Sequence, residues 1–474
     1  MMARIKARLH EQQSGAALVW VAGSLVALLA MTALAVDLGW YYLNSTRVQR
    51  AADAAALAGV VYLPGFPASA QAEAENAAQA NGLNPAGVTG TPVNDNQYQV
   101  TVAANVPMFF ATVVGIDSLP LSRTATAEYI KPVPMGSPFS SFGYGYDSNQ
   151  AFWAAIQAPY TALKHGDPYA TKCKTTSSQG SCTGGSNPSY RPQGYWYGVD
   201  IPSGATSFVV EMYDAGFYDR TNFAETGDEE SLVDSATGGA DMHFQLYAPD
   251  ATPSDPTDNT AIAGCKKDIT SGGQSTTYKN KWVAVCSTIN NPTPGIYPLQ
   301  VWTTGNGGGS SHFALRVNAA GTTQERIYAI NDMSIFTNDV SGSGTAYVYL
   351  AEISEVHAGK QLELRFFDPG EGSGNAYMTV YDPDDDIAAC DWVATDINGS
   401  QTSNGSGNCR IRTTKNGAAQ FDEQWITAVI DIPNDYTCGS DCWWYMELDL
   451  NTPHDRTTWE ARVIGNPVHL VPNS

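Results

Sequence analysis

Residues 15–61 read GAALVWVAGSLVALLAMTALAVDLGWYYLNSTRVQRAADAAALAGVV, and the reading of this stretch organises the rest of the chain. No residue from Gly15 to Val36 is charged. As a helix, Ala16 to Val36 would span about 31 Å, the thickness of a bilayer core. Arg4, Lys6 and Arg8 precede it against the single acid Glu11, and Asp37 follows it. That asymmetry predicts an N-terminus in the cytoplasm and everything beyond Asp37 outside. The helical signal does not stop at Asp37. No proline occurs before Pro64, and alanine, the best helix former, fills positions 51, 52, 54, 55, 56 and 58. One helix from about Ala16 to Val61 would be ~70 Å long, with Gly59 and Pro64 as its first stops. Gly23, Ala27 and Ala30 offer a small-residue face for close packing of another helix, unless they only reflect a bias toward alanine.

Three uses of this segment compete. It could be a signal peptide cut near Ala33-Leu34-Ala35, although the run exceeds the roughly 7–15 residues of an h-region. It could be an ordinary single-span anchor. It could be a pilin-like leader in which Gly15 ends a basic segment and Ala16 begins the mature assembly helix. A signal peptide does not need the helical extension to Val61; the other two do.

Ala35-Val36-Asp37-Leu38-Gly39, Tyr41-Tyr42, Arg47, Gln49 and the run Ala51-Ala52-Asp53-Ala54-Ala55-Ala56-Leu57-Ala58-Gly59 resemble the N-terminal module of TadE/TadG-like Flp pilus-assembly proteins. The resemblance continues through Pro107-Met108-Phe109-Phe110-Ala111 and Gly115-Ile116-Asp117-Ser118-Leu119 to Thr124-Ala125-Thr126-Ala127. It covers about residues 15–130. It implies a protein anchored by its long helix and engaged with tight-adherence pilus or Tad-apparatus subunits through that helix. There are two departures. Processed relatives carry a Glu five residues after the leader Gly, where this chain has Trp20; that favours a retained anchor over cleavage between Gly15 and Ala16. The second departure is length: TadG proteins often carry a von Willebrand factor A domain with a metal site in an Asp-x-Ser-x-Ser loop, and that metal-dependent adhesion chemistry is not among the expectations here.

Downstream, Ala70–Asn81 reads as a second helix. Tyr98, Val100 and Val102 alternate as a half-buried strand, Phe109–Val114 forms a short apolar helix or turn, and Leu119 to Tyr129 alternates again. This predicts a small α+β module with a hairpin-like strand pair on the long helix.

Pro132, Pro134, Gly136 and Pro138 mark a linker, beyond which short strands separated by turns predict antiparallel sandwiches. A weak internal repeat runs through them. Thr206–Asp214 parallels Gln361–Asp368, and Phe244–Asp250 parallels Met378–Asp384. Cys265 and Cys286 match Cys390 and Cys409. Gly295–Trp302 parallels Trp443–Leu450, and His312–Val317 parallels Thr458–Val463. The expected fold is mainly β with a long N-terminal α-helix: a basic segment 1–14, the helix 15–62, a pilin-like α+β module 63–131, and two jelly-roll-like β-sandwiches, 132–322 and 323–474. The sandwich analogy concerns fold alone.

All eight cysteines lie after residue 170, outside the predicted membrane. An even count in an exported region predicts disulfides. The repeat pairs Cys265 with Cys286 and Cys390 with Cys409; Cys173–Cys182 and Cys438–Cys442 follow as neighbours. No C-x2-C pair points to zinc. The net charge of -22 argues against nucleic-acid binding, which needs a basic face.

No catalytic motif is present: none of the seven histidines lies in H-E-x-x-H, and there is no G-x-S-x-G elbow, P-loop or dinucleotide fingerprint. His165-Gly166-Asp167 could pair a base with its orienter but is also a good turn. His312 and His357 read as ordinary surface or core residues. A glycosidase would need two carboxylates to converge, which sequence does not show. Calcium is the ion the sequence suits best: Asp382, Asp384 and Asp386 cluster oxygens in one turn, and Asp228 with Glu229 makes another acidic loop. A solvated acidic turn is the plainer reading of both. Tyr195-Trp196-Tyr197 and Trp443-Trp444-Tyr445 could stack on sugars, but strand alternation puts at least half of each in the core. Tyr144 and Tyr146 read as loop anchors. The expectation is a non-enzymatic, single-pass surface protein of the Tad/Flp system, acting as a minor pilin, tip, adhesin or assembly factor. The alternatives are a glycan-binding surface protein and, less favoured, a surface hydrolase.

Overall fold

The computed structural model describes residues 2–63, 66–94, 96–143, 152–161, 167–169, 171–174, 182, 184–217, 229–231, 240–250, 252, 255–270, 278, 281–338, 345–369, 375–415, 418–439, 441–449, 454–465 and 468–472. The chain is mainly β, with antiparallel sheets and, among the described residues, two α-helices. It divides into two units, Met1–Ile130 with Asn466–Ser474, and Lys131–Gly465.

In the first unit α1 (Met2–Val60) is one continuous helix, as the proline-free, alanine-rich sequence demands. Its apolar part, Ala17 to Val36, is exposed apart from half-buried Ala33. Further on, Val48, Ala51, Ala52, Ala55, Ala56 and Val60 are buried, at the three- and four-residue spacing of one helix face. The second helix, α2 (Pro67–Ala80), starts three residues before the expected Ala70. Proline at the first helical position loses no hydrogen bond, so Pro67 opens the helix instead of breaking it. Ala70, Ala74 and Ala78 are its buried stripe. Gly59, expected as a helix stop, is the last residue but one of α1 and sits at a point of close approach. A Cβ there would stand 2.5 Å from the Tyr98 ring and 2.8 Å from the Ala70 carbonyl oxygen.

Strands β1 (Val88–Pro92), β2 (Gln97–Pro107) and β3 (Ser118–Tyr129) form a meander on α1. Tyr98, Val100, Val102, Leu121, Ala125 and Ala127 point into its core. The free edge of β3 is taken by the C-terminal strand Val468–Val471, which pairs with Thr126–Tyr129. The expected second sandwich had included those residues. Here they close an edge that would otherwise present unpaired backbone groups.

The second unit contains two runs of seven strands. The first is β4 (Phe152–Gln157), β5 (Tyr195–Ile201), β6 (Ser207–Tyr213), β7 (Ala240–Tyr247), β8 (Trp282–Ala284), β9 (Gly295–Gly305) and β10 (Gly308–Ala320). The second is β11 (Asp332–Asn338), β12 (Thr345–Glu352), β13 (Gln361–Phe367), β14 (Tyr377–Tyr381), β15 (Trp425–Asp431), β16 (Trp443–Asp449) and β17 (His454–Val463). Both use the same nested pairing. In the first run β4 and β6 flank β10, β5 and β7 flank β9, and β6 also pairs with β8. In the second, β11 and β13 flank β17, β12 and β14 flank β16, and β13 pairs with β15. Each strand therefore corresponds to the one seven places later. The halves are not separate bodies. Their leading strands pair with each other antiparallel, Ile335 opposite Ala154, so one sheet runs β6-β10-β4-β11-β17-β13. That order reads the same from either end under the correspondence, which is an internal two-fold relation. The cysteine strands break it: Ala261–Ile269 pairs with β7, whereas Ala389–Thr395 pairs with β15.

The disulfides are Cys173–Cys182, Cys265–Cys286, Cys390–Cys409 and Cys438–Cys442. Their sequence separations are 9, 21, 19 and 4 residues, so each closes a local loop.

Candidate functional site

The end of the first unit next to the apolar run is built around Asp37, the first charged residue after that run. It is only 5% exposed. Its carboxylate accepts from the backbone N–H groups of Phe109 (2.9 Å), Phe110 (3.1 Å) and Ala111 (2.7 Å). Desolvation pushes the carboxyl up. The N–H groups of Phe109, Ala111 and Phe110 outweigh it and hold the group below the ordinary aspartate value. The β2–β3 turn is thereby tied to α1 where the apolar run ends. Trp40 packs on Phe109 with ring centroids 5.3 Å apart, and the Tyr41 hydroxyl donates to the Pro120 carbonyl at 3.2 Å. The Arg123 guanidinium donates to the Ser45 hydroxyl at 2.6 Å, one helical turn and more along. Asp37 had been read only as a topology signal. The cue to its second role was an acid directly after the span together with an uncharged loop, Val106–Ile116, elsewhere in the chain.

The helix-packing candidates Gly23, Ala27 and Ala30 all lie on the exposed part of α1, and a Cβ built on Gly23 would meet nothing within 4 Å. Gly15 and Ala16 lie within α1 as helical backbone. His165, Gly166, Asp228, Tyr144 and Tyr146 fall outside the described residues.

In the Asp382–Asp386 turn the Asp382 carboxylate accepts from the N–H groups of Asp384 and Asp386, both at 3.0 Å. The Tyr445 hydroxyl donates to Asp385 at 3.0 Å. Among the described residues no group of three or more His, Cys, Asp or Glu side chains is placed to hold a metal ion. Of the aromatic triplets, Tyr195, Tyr197, Trp443 and Trp444 are buried. Tyr445 is half-buried and stacks on Tyr381, centroids 4.9 Å apart and planes 7° from parallel, so one face of its ring is covered. Trp196 leans on Tyr247.

Carboxylates do converge at the junction of the two seven-strand halves. Asp332 accepts from the Tyr169 hydroxyl at 2.6 Å. Arg191 stands 3.7 Å from Asp332 and 3.8 Å from Glu460. The Asp167 carboxylate accepts from Thr458 Oγ1 at 2.5 Å. Burial raises the Asp332 carboxyl well above its ordinary value, the charge of Glu460 adds to the rise, and Arg191 opposes it. The tyrosine, threonine and arginine partners tie the segment that carries Asp167, Tyr169 and Arg191 to the neighbouring strands β11 and β17. His312 is fully buried, stacks on Phe336 at 4.0 Å and accepts from Arg456 Nε at 3.1 Å. His357 is also buried.

Residues 15–80 match the Tad family model, described as Flp pilus-assembly TadE/G-like. The N-terminal module is therefore of the TadE/G-like kind, and with its apolar helix it fits a membrane-anchored protein related to Tad/Flp pili. No curated protein matches the chain. Solved structures similar to it include the tandem CBM22 domains of Xyn10C from Paenibacillus barcinonensis, with 11% identity, 56% of this chain and 80% of that one covered, and a TM-score of 0.15. Another is a protein described as secreted from Parabacteroides distasonis, with 7% identity, 70% and 99% covered, and a TM-score of 0.16. Scores this low carry no argument about fold or ligand.

Proposed function

We propose that the chain is a non-enzymatic, single-pass component of a Tad/Flp-type pilus or of its assembly apparatus. Its N-terminus is inside the cell, and its disulfide-bonded β-unit forms the outer, minor-pilin or adhesin part. The observation that carries this reading is α1 itself. Its stretch Ala17 to Val36 is uncharged and exposed apart from half-buried Ala33, the solution for a helix solvated by lipid, while its second half is the core helix of a folded module. The open face at Gly23, Ala27 and Ala30 is where a helix of another subunit would pack. Trp20, in the place of the Glu of processed relatives, favours a retained anchor. The glycan-binding alternative has less behind it, because Tyr445 spends one face of its ring on Tyr381.

Mass spectrometry of sheared filaments and of carbonate-washed membranes from the source cells reads both location and mature N-terminus. The expected result is recovery in the washed membranes with residues 1–14 intact, and loss of surface filaments when the gene is deleted. An anchored protein whose loss leaves the filaments unchanged would refute the pilus role. A mature chain starting at Ala16 within the filaments would make it a processed subunit.

A further inference from the structure

We infer that the β2–β3 turn, residues 108–116, is a second membrane contact that inserts its apolar side chains into the outer leaflet beside α1. The inference rests on α1 spanning the membrane and not on the pilus role. Phe109, Phe110, Val113, Val114 and Ile116 are 56%, 49%, 87%, 75% and 43% exposed. Five exposed apolar side chains within eight residues, with no charge among them, make a grouping of the kind that marks an interaction or membrane surface. Phe109 packs on Trp40 of α1, four residues beyond the apolar run. Asp37, the first residue beyond the apolar run, holds Phe109, Phe110 and Ala111 by their N–H groups, so the turn sits at the depth where the run ends.

The geometry of the module brings it there. From Asp37 to Gly59 the helix rises about 33 Å at 1.5 Å per residue. From Tyr98, which faces Gly59, to its end at Pro107 the strand covers about 30 Å at ~3.3 Å per residue, and Met108 leads on to Phe109. The hairpin thus runs back along α1 and ends at the bilayer. Lipid also demands that backbone donors be satisfied internally. In the turn Asp37 takes three of them, Met108 N–H bonds the Asp117 carbonyl, and those of Val113, Gly115 and Ile116 bond the carbonyls of Phe110, Thr112 and Ala111. Asp117, the acid nearest the turn, lies just outside it, before the first residue of β3, and away from Val113 and Val114 in sequence.

The test uses the full chain in lipid nanodiscs. All eight native cysteines are in disulfides, so a single introduced thiol takes an environment-sensitive fluorophore selectively. Val113→Cys reports on the turn. Val93→Cys, at the β1–β2 turn and 48% exposed, reports on the opposite end of the same sheet. Leu28→Cys reports on the span. The expected result is a blue-shifted probe at 113 that lipids with a nitroxide high on the acyl chain quench several-fold more than the probe at 93, with aqueous iodide doing the reverse. A probe at 113 quenched by iodide as strongly as at 93, while 28 is quenched by lipid, overturns the insertion and leaves the anchor standing. A blue-shifted probe at 113 insensitive to both quenchers means that protein covers the turn, and also overturns it. No lipid quenching at 28 overturns the anchor reading instead.

Discussion

Replacing Gly59 with alanine sets two effects of known sign against each other. In a helix interior Gly→Ala gains about 1 kcal/mol of propensity, which is the most it can gain at Gly59, the last residue but one of α1. At this position the added Cβ would lie 2.5 Å and 2.7 Å from Tyr98 ring carbons and 2.8 Å from the Ala70 carbonyl oxygen. The carbonyl belongs to α2 backbone and cannot rotate away. The ring is 1% exposed, and its hydroxyl end is pressed against Gly90, where a Cβ would stand 1.9 Å from it. Overpacking of this kind costs about 1–3 kcal/mol, and with no room to relax the upper part of the range applies. The expected net loss is about 1–2 kcal/mol, or a factor of roughly 5–30 in the opening equilibrium. Hydrogen exchange of α1, α2 and β2 amides in the detergent-solubilised full chain measures it. A double-mutant cycle with Tyr98→Leu isolates the cause: removing the ring edge should restore about 1 kcal/mol of the Gly59→Ala penalty through coupling. Slower exchange in Gly59→Ala than in the parent, or a coupling near zero, would show that propensity decides and that the contact is not tight.

Other consequences can be measured. In Asp37→Asn the amides of Phe109, Phe110 and Ala111 should lose exchange protection, since a carboxylate uses both oxygens on them. Because the Asp37 carboxyl is held below its ordinary value of 3.8, the clamp is fully present above that value and is lost as pH falls through the lower folded value; the asparagine variant should show no such acid step. Removing the Cys390–Cys409 bridge by a double Ser substitution opens a loop closed over 19 residues, and should cost about 3 kcal/mol in the thermal unfolding of the second unit. A chain ending at Gly465 should expose the edge of β3, seen as faster exchange confined to Thr126–Tyr129. Tyr436, pushed up to about 12 by burial, donates to the Ile353 carbonyl at 2.8 Å. It should ionise after the exposed tyrosines in an absorbance titration, and its stabilisation should hold below the ordinary value of 10.0 and vanish as pH rises toward 12.

What could be read without a structure is what short-range physics controls. The long helix follows from an uncharged run and an alanine-rich continuation with no proline. The β2 core face follows from the alternation of Tyr98, Val100 and Val102. The cysteine bridges close loops of 4 to 21 residues, short enough for spacing and the repeat to nominate partners. The repeat was legible in four of its strand pairs. The pairs β4/β11, β5/β12 and β8/β15 have diverged too far in sequence, and only their identical pairing relates them.

Tertiary structure alone decided the rest, because long-range backbone pairing leaves no local signature. Val468–Val471 lies some 340 residues from the edge of β3 that it completes, and any short alternating strand could have filled that place. The union of β4 with β11 turns two sandwiches into one unit by removing two open edges. The grip of Asp37 on residues 109–111 depends on α1 and the β2–β3 hairpin having similar lengths, 22 helical steps from Asp37 to Gly59 against nine extended ones from Tyr98 to Pro107. The sequence by itself determined the helix, its uncharged run and the alternating strands; how the strand edges found one another, and where the apolar turn ended up, depended on geometry that only the folded chain supplies.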